Sequence, residues 1–210
     1  MEIFVLRVPG LSVAILLAGM SGQNPAIAAG PAELSSGRYT VQAMPPRMAG
    51  RVTSQLSVGE ITPVRPGGIS GITDQIFFEC LPEQGLVSVG DLSRFSDYIR
   101  SALIEQLADS KIYAPDAPVQ LSGELKQVDL YYDQVFEQAL LSGTWVIRLE
   151  LQSSLGGSET FSVVYTYSLP ERGAFCEEMA ARFMNGVQAL MQEIIESETL
   201  DALLKPASAG

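Results

Sequence analysis

Two neighbouring stretches late in the chain constrain the fold more than any other feature, because both alternate apolar and polar side chains with a period of two. The apolar positions are Trp145, Ile147, Leu149 and Leu151 in the first stretch and Phe161, Val163, Tyr165 and Tyr167 in the second. Such alternation puts one set of side chains on one face of a strand. The short connection Ser153–Ser158 contains two glycines, which favours a tight turn. An antiparallel hairpin with one apolar face is predicted, and that face requires a cover.

The cover is predicted from two helical patterns. Apolar residues recur at spacings of three and four, which marks one face of a helix, while polar residues occupy the other face. The later stripe comprises Phe175, Met179, Phe183, Val187, Leu190, Met191, Ile194 and Ile195. The earlier stripe comprises Phe95, Tyr98, Ile99, Ala102, Leu103 and Leu107, with Asp91 or Ser93 as the N-cap.

Two further strands complete the predicted sheet. Alternating apolar residues predict a first strand over residues 55–61 and another from Val119 to Leu125, after which a phase slip indicates a bulge near Gln127. Residues 76–78 fit either a short strand or a loop, and residues 131–142 fit either a hairpin loop or one or two helical turns. The predicted fold class is therefore α+β, a two-layer sandwich with a mainly antiparallel sheet of about four strands. Its order is β-α-β-β-β-α, with two helices on one face.

The first 28 residues have the pattern of an export signal. Arg7 precedes an apolar run over residues 11–18, and residues 26–28 (Ala-Ile-Ala) match a cleavage site, which predicts a mature start at Ala29. Residues 17–20 resemble a bacterial lipobox in which Met20 replaces the acylated cysteine, either through loss of an ancestral anchor or by chance. These features predict secretion by the general export route into the periplasm, without an integral membrane span in the mature chain. The alternative interpretation of the segment is an ordinary N-terminal helix. Association with the outer membrane is left open.

Composition divides the rest of the chain. Residues 29–50 are rich in Ala, Gly, Ser and Pro and show no sustained period, which predicts a flexible tether. Residues 51–197 contain all the periodic segments and are predicted to form a single α+β domain. Residues 198–210 are interpreted as a C-terminal tail.

Charge and residue types exclude several classes of function. The net charge is −11, with no cluster of basic residues, so the chain would repel the phosphate backbone of a nucleic acid. Histidine is absent from the sequence, which excludes Ser-His-Asp catalysis and histidine metal ligation. We predict no catalytic, cofactor-binding or metal-binding residues. The acid pairs Asp129 with Asp133 and Glu177 with Glu178 are interpreted as solvated surface.

The two cysteines, Cys80 and Cys176, are candidates for a disulfide, because an oxidising compartment allows them to pair. The alternative is two separate buried thiols, since free cysteine is among the residue types most often buried.

An aromatic group supplies a candidate interface. Tyr131, Tyr132, Phe136 and Trp145 lie in or beside the irregular stretch, and aromatic residues dominate the binding energy of protein interfaces. They would anchor a partner if that stretch projects from the sheet. Otherwise they close one end of the core.

The same segments carry a family resemblance. The helix FSDYIRSALIEQL (residues 95–107), the strand LSGEL (residues 121–125), the hairpin over residues 145–167 and the closing helix resemble YajG-type lipoproteins of the bacterial periplasm. More distantly, they resemble auxiliary lipoproteins of ABC-type envelope transport systems and the LptE-like assembly lipoproteins. The resemblance covers about residues 51–197. It implies a small periplasmic or outer-membrane-attached domain, without known catalysis, that supports an envelope machine.

Together these observations predict a non-catalytic cell-envelope protein, an assembly or transport accessory factor that acts through contact with an envelope protein partner. A carrier for an apolar or lipid ligand bound between helices and sheet is the alternative. An acid-only wall hydrolase is a third reading, because a glycosidase requires only two carboxyl groups at the right separation.

Overall fold

The computed structural model describes residues 33–42, 55–63, 77–79, 86–89, 94–135, 140–169 and 175–205. All of them belong to one compact unit, Pro31–Gly210. The predicted export signal over residues 1–28 and its lipobox lie outside the described residues, so they stay predictions. In the part of the chain that is described, no helix has both the length and the apolar character needed to cross a bilayer.

Seven strands and three helices make up the described part of the fold. In chain order they are β1 (Glu33–Ser35), β2 (Leu56–Thr62), β3 (Phe77–Glu79), β4 (Leu86–Ser88), α1 (Phe95–Asp109), β5 (Val119–Val135), β6 (Leu140–Ser153), β7 (Ser158–Leu169), α2 (Phe175–Glu196) and α3 (Glu198–Leu203). Strand β3 shows that the ambiguous stretch around residue 77 is a short strand.

The main sheet has the order β2-β5-β6-β7. Strand β2 is parallel to β5, whereas β5, β6 and β7 are antiparallel neighbours. The parallel pair requires a crossover connection, and α1 lies in that connection. The predicted α+β two-layer fold is therefore confirmed, and the sheet with its two long helices follows the predicted order.

The inner face of this sheet is the one that the alternation predicts. Trp145, Ile147, Leu149 and Leu151 are fully buried on β6, and their partners on β7 share that face. The register between β5 and β6 shifts between Leu125 and Gln127, where the bulge is predicted. One extra residue at this point restores apolar side chains to the inner face beyond the bulge.

Helices α1 and α2 close the inner face through an aromatic cluster. The ring centroid of Phe183 lies 4.9 Å from that of Trp145, 5.1 Å from that of Phe95 and 5.6 Å from that of Tyr98. The indole Nε1 of Trp145 donates a hydrogen bond of 3.1 Å to the carbonyl oxygen of Met179. Burial of these large rings contributes to the cohesion between the two layers.

The N-terminal segment differs from its prediction. Strand β1 pairs with β4, which pairs with β3 in a small second sheet. Residues 36–42, the N-terminal strap, follow β1, and Tyr39 is only 6% exposed. Its hydroxyl donates to Oε1 of Gln106 at 2.9 Å, and Nε2 of Gln188 donates to the carbonyl of Thr40 at 2.7 Å. A flexible tether over residues 29–50 was therefore the wrong prediction for residues 33–42, because these bonds satisfy the strap's polar groups within the domain.

The C-terminal boundary also needs correction. Helix α3 begins after Ser197, whose hydroxyl accepts from the backbone N–H of Thr199 at 3.1 Å. Leu200 and Leu203 are buried in the core. The domain therefore continues beyond residue 197, since two buried leucines attach the segment that the sequence marks as a tail.

The irregular stretch after the bulge is strand at both ends. Strand β5 continues to Val135, and β6 begins at Leu140, so the described residues of this stretch form neither a long loop nor helical turns. The candidate N-caps of α1, Asp91 and Ser93, lie outside the described residues. Arg94 takes the N-cap position and makes no side-chain capping bond.

Candidate functional site

The face of the sheet opposite the helices supplies the candidate site. Strand register places Tyr131 opposite Thr144, and Thr144 opposite Thr166. The neighbouring row on this face runs from Asp129 through Val146 to Val164. These side chains share the outer face, because successive residues of a strand point to opposite sides. The six residues are here called the outer-face patch: Asp129, Tyr131, Thr144, Val146, Val164 and Thr166.

The patch concentrates the apolar exposure of the described surface. Tyr131 is 53% exposed and Val164 is 65% exposed, and these are the large exposed hydrophobic residues of the described part. Half-buried Val146 lies between their strands. Large hydrophobic side chains gathered on one face, with polar residues around them, are typical of a contact surface.

Hydrogen bonds orient Tyr131. Its hydroxyl donates to Oδ2 of Asp129 at 3.1 Å, and Nε2 of Gln127 donates to the same oxygen at 2.6 Å. The hydrogen bond to the Asp129 carboxylate, and then its negative charge, raise the pKa of Tyr131. The tyrosine therefore keeps its proton and offers an oriented ring, which lowers the entropic cost of ordering it in a complex.

The remainder of the outer face differs in character. Nζ of Lys126 lies 2.7 Å from a carboxylate oxygen of Glu124 and 2.9 Å from one of Glu150. The hydrogen bond to Glu124 is the main cause of the raised pKa of Lys126, and Glu150 contributes next. Because this ionic cluster is solvated, it contributes little to stability. The ionic cluster lies at one end of the outer face, and the outer-face patch lies at the other end.

The four predicted interface residues are separated by the structure. Trp145 is fully buried on the inner face, so the interface hypothesis was wrong for this residue. The reason is strand alternation, which sends Trp145 to the side opposite its neighbour Thr144. Tyr131 lies on the outer face, and its role in an interface stays a prediction. The backbone of Tyr132 belongs to β5 but its side chain is outside the described residues, as is all of Phe136.

Val164 was missed by the sequence interpretation. The outer positions of β7 are otherwise serine or threonine, at residues 158, 160, 162, 166 and 168. A single valine in a row of hydroxyl side chains was a signal that could have identified it. The alternation of the hairpin predicts its apolar face, and Val164 lies on the opposite one.

Cys176 lies near the start of α2, is buried, and is disulfide-bonded. Cys80, the other cysteine of the sequence, lies outside the described residues. That Cys80 is the residue bonded to Cys176 therefore stays a prediction.

The carboxylates considered as acid pairs have separate surroundings. Asp129 accepts the two bonds described above and is only 6% exposed, so the interpretation as solvated surface was wrong for this residue. Glu178 forms an ion pair with Arg182 at 2.6 Å. Glu177 is exposed, and the side chain of Asp133 lies outside the described residues. Among the residues that the structure describes, no three Asp, Glu, Cys or His side chains gather in an arrangement that could hold a metal ion.

The alternative function, a carrier of an apolar or lipid ligand, would need room for that ligand between the helices and the sheet. The aromatic cluster around Phe183 occupies the described contact between the two layers, and Phe95, Trp145 and Phe183 are all fully buried. The described contact between helices and sheet is thus made by buried side chains of the protein itself.

The fold and the outer-face patch together define an α+β sandwich in which helices cover one face of the sheet and the other face presents side chains outward.

No family model matches the chain, and no curated protein matches it. Among solved structures it is similar to protein XCC0632 from Xanthomonas campestris, described under family DUF330. The TM-score is 0.52 and the identity 16%, over 81% of this chain and 96% of that one. A PelC dodecamer from Paraburkholderia phytofirmans has a TM-score of 0.32 and 13% identity, over 80% of this chain and 94% of that one. The likeness to XCC0632 supports the fold alone.

Proposed function

We propose that this chain is a non-catalytic accessory factor of the bacterial cell envelope that binds another envelope protein through the outer-face patch. The observation that carries the proposal is that both strongly exposed large hydrophobic residues of the described part, Tyr131 and Val164, lie on the sheet face opposite the helices. Apolar exposure of this kind is costly for a free protein and favourable when a partner covers it.

Three further features support the proposal. Tyr131 is held by Asp129, so its ring is oriented before a partner arrives. The net charge of −11 disfavours nucleic acids and anionic membrane surfaces as partners. The export pattern of residues 1–28 and the resemblance to YajG-type lipoproteins favour the periplasm, with outer-membrane attachment as an open alternative.

Photo-crosslinking at position 131 in living cells tests the proposal. A benzoylphenylalanine in place of Tyr131 should yield a reproducible protein adduct, because this side chain would lie inside the contact. The same probe at Ala181, an exposed position on α2, is the matched control and should yield little. Equal adduct yields at the two positions, or an adduct at Ala181 alone, would contradict the proposal.

Substitutions then measure the contribution of the ring to the identified contact. We expect Tyr131→Phe to retain the partner, because the apolar ring remains. Tyr131→Ser should weaken binding by roughly tenfold or more if this ring is a central anchor. Native mass spectrometry supplies an independent check. A stoichiometric lipid adduct, with no protein adduct at position 131, would favour the carrier alternative.

A further inference from the structure

The edge of the main sheet at β7 has an unusual composition. Strand β7 runs from Ser158 to Leu169, and among the described strands it pairs only with β6. Its twelve residues include a single charged side chain, Glu159, and no proline. Natural edge strands are commonly protected by charges, proline or a covering segment, because their free N–H and C=O groups can pair with another strand.

The opposite edge of the same sheet is protected. The guanidinium of Arg100 on α1 donates to the carbonyl oxygens of β2, with Nε 2.6 Å from the oxygen of Gly59 and Nη2 3.3 Å from that of Val58. Strand β2 is also shorter, with seven residues against twelve. The two edges of the sheet therefore differ, and no described strand pairs with the free edge of the longer one, β7.

The turn between β6 and β7 indicates which backbone groups face the open edge. The N–H of Ser153 donates to the carbonyl of Gly157 at 3.2 Å, so this pair is hydrogen-bonded across the hairpin. Hydrogen-bonded and non-bonded pairs alternate along an antiparallel ladder. The odd-numbered residues of β7 therefore bond to β6, and the even-numbered ones direct N–H and C=O away from it. Those even-numbered residues, among them Val164, have exposed side chains.

We infer that a second copy of this chain pairs with this edge, β7 against β7 and antiparallel, with Val164 at the two-fold axis. The two four-stranded sheets would then form one continuous sheet of eight strands. Strand β7 of one copy pairs with β7 of the other, and with no other strand, because its sequence is self-complementary about Val164. The resulting neighbours across the axis are Val164 with Val164, Val163 with Tyr165, Phe161 with Tyr167, Ser162 with Thr166, and Thr160 with Ser168.

Charge favours the same arrangement. Each copy carries a net charge of −11, so two copies can approach most closely where charged side chains are missing. In the proposed register the carboxylate of Glu159 lies opposite Leu169, and the two Glu159 side chains of the dimer are at opposite ends of the paired strands. No like charges face each other across the paired segment.

The pairing also extends the outer face. Val146 and Val164 lie in one row of the outer-face patch, and that row would continue into the second copy. The inference depends only on the edge of β7. It stands whether or not an envelope partner binds at Tyr131.

Sedimentation velocity of the purified protein over a range of micromolar concentrations tests the inference. The wild-type chain should show a reversible monomer–dimer equilibrium. Val164→Pro removes an N–H that faces the open edge and leaves the ladder with β6 in place. Because the symmetry removes two hydrogen bonds for each dimer, we expect the dissociation constant to rise by roughly tenfold or more.

Two further variants make the test independent of how well the proline is tolerated. Val164→Lys keeps the backbone N–H of an exposed position but places two positive charges together at the axis, and it should also raise the dissociation constant of the dimer. Val164→Thr keeps the β-branched shape and the N–H, so its dimer should persist. A chain that is monomeric throughout, or a dimer unaffected by both Val164→Lys and Val164→Pro, would overturn the inference. The crosslinking at Tyr131 is read separately, so either proposal can fail without the other.

Discussion

Replacement of Gln106 by leucine tests how the N-terminal strap is attached to the domain. Gln106 on α1 is completely buried. Its Oε1 accepts from the hydroxyl of Tyr39 at 2.9 Å, and its Nε2 donates to the carbonyl of Gln42 at 3.1 Å. Leucine has a similar length but neither polar atom. The variant would therefore leave two groups of the strap without their partner inside the domain.

The expected magnitude follows from those two groups. A buried polar group left unpaired costs about 1–3 kcal/mol. The strap can carry one of the two groups toward water, so we expect Gln106→Leu to lower the free energy of unfolding by about 1–3 kcal/mol, the cost of the group that stays unpaired. Tyr39→Phe leaves the buried Oε1 of Gln106 without its hydrogen-bond donor and should cost about 1–3 kcal/mol. The double variant should be less destabilised than the sum of the two, because a phenylalanine ring at position 39 has no hydroxyl that needs a partner.

Urea unfolding followed by circular dichroism measures these changes, and hydrogen exchange of residues 36–42 reports the strap itself. Gln192→Leu, on the exposed side of α2, is the matched control and should change stability by less than about 0.5 kcal/mol. A Gln106→Leu variant as stable as that control, with undiminished protection of the strap, would refute the reasoning. Strict additivity of Gln106→Leu and Tyr39→Phe would refute the pairing of the two side chains.

Two glycines should respond in opposite directions, and the buried tyrosines should make the fold sensitive to alkali. A Cβ at Gly186 of α2 would lie at an ordinary 3.5 Å from Cδ1 of Ile147, so Gly186→Ala should stabilise by about 0.5–1 kcal/mol through helix propensity, read as a higher urea midpoint. A Cβ at Gly143 would lie 2.5 Å from the Tyr167 hydroxyl, so Gly143→Ala should destabilise by about 1–3 kcal/mol; an unchanged midpoint would contradict this. Burial raises the pKa of Tyr98 to about 12, above its value in the unfolded chain, and also raises that of Tyr167. The stabilisation that comes from burying these hydroxyls in their protonated form is fully present below about pH 10. It is lost as the pH rises toward 12, by about 1.4 kcal/mol per pH unit for each tyrosine that loses its proton only on unfolding. A flat stability curve between pH 10 and 12 would show that these hydroxyls are not buried.

The sheet and its two long helices could be predicted because their signals are local. Trp145 to Leu151 alternate strictly, and the stripe of α2 keeps its period over 22 residues. Each pattern identifies its element without information from a distant part of the chain. The continuation of β5 beyond the bulge was harder to predict, because one extra residue reverses the phase of the alternation.

The strap and the outer-face patch depend on contacts between distant residues. Tyr39 lies in a segment of small and polar residues, and its burial results from Gln106, which is 67 positions away. Tyr131 and Val164 share a face only through the register of three strands, which the sequence pattern does not specify across the bulge. Trp145 was grouped with Tyr131 because both are aromatic, although strand alternation separates them.

Hydroxyl-radical footprinting of the chain in envelope extract, compared with the purified protein, tests most directly whether the outer face of the sheet is a contact surface. Oxidation of Tyr131 should fall strongly in the extract, whereas Met184 on α2 should be oxidised equally in both samples. Equal oxidation of Tyr131 in both samples, or protection of Met184 alone, would contradict the account.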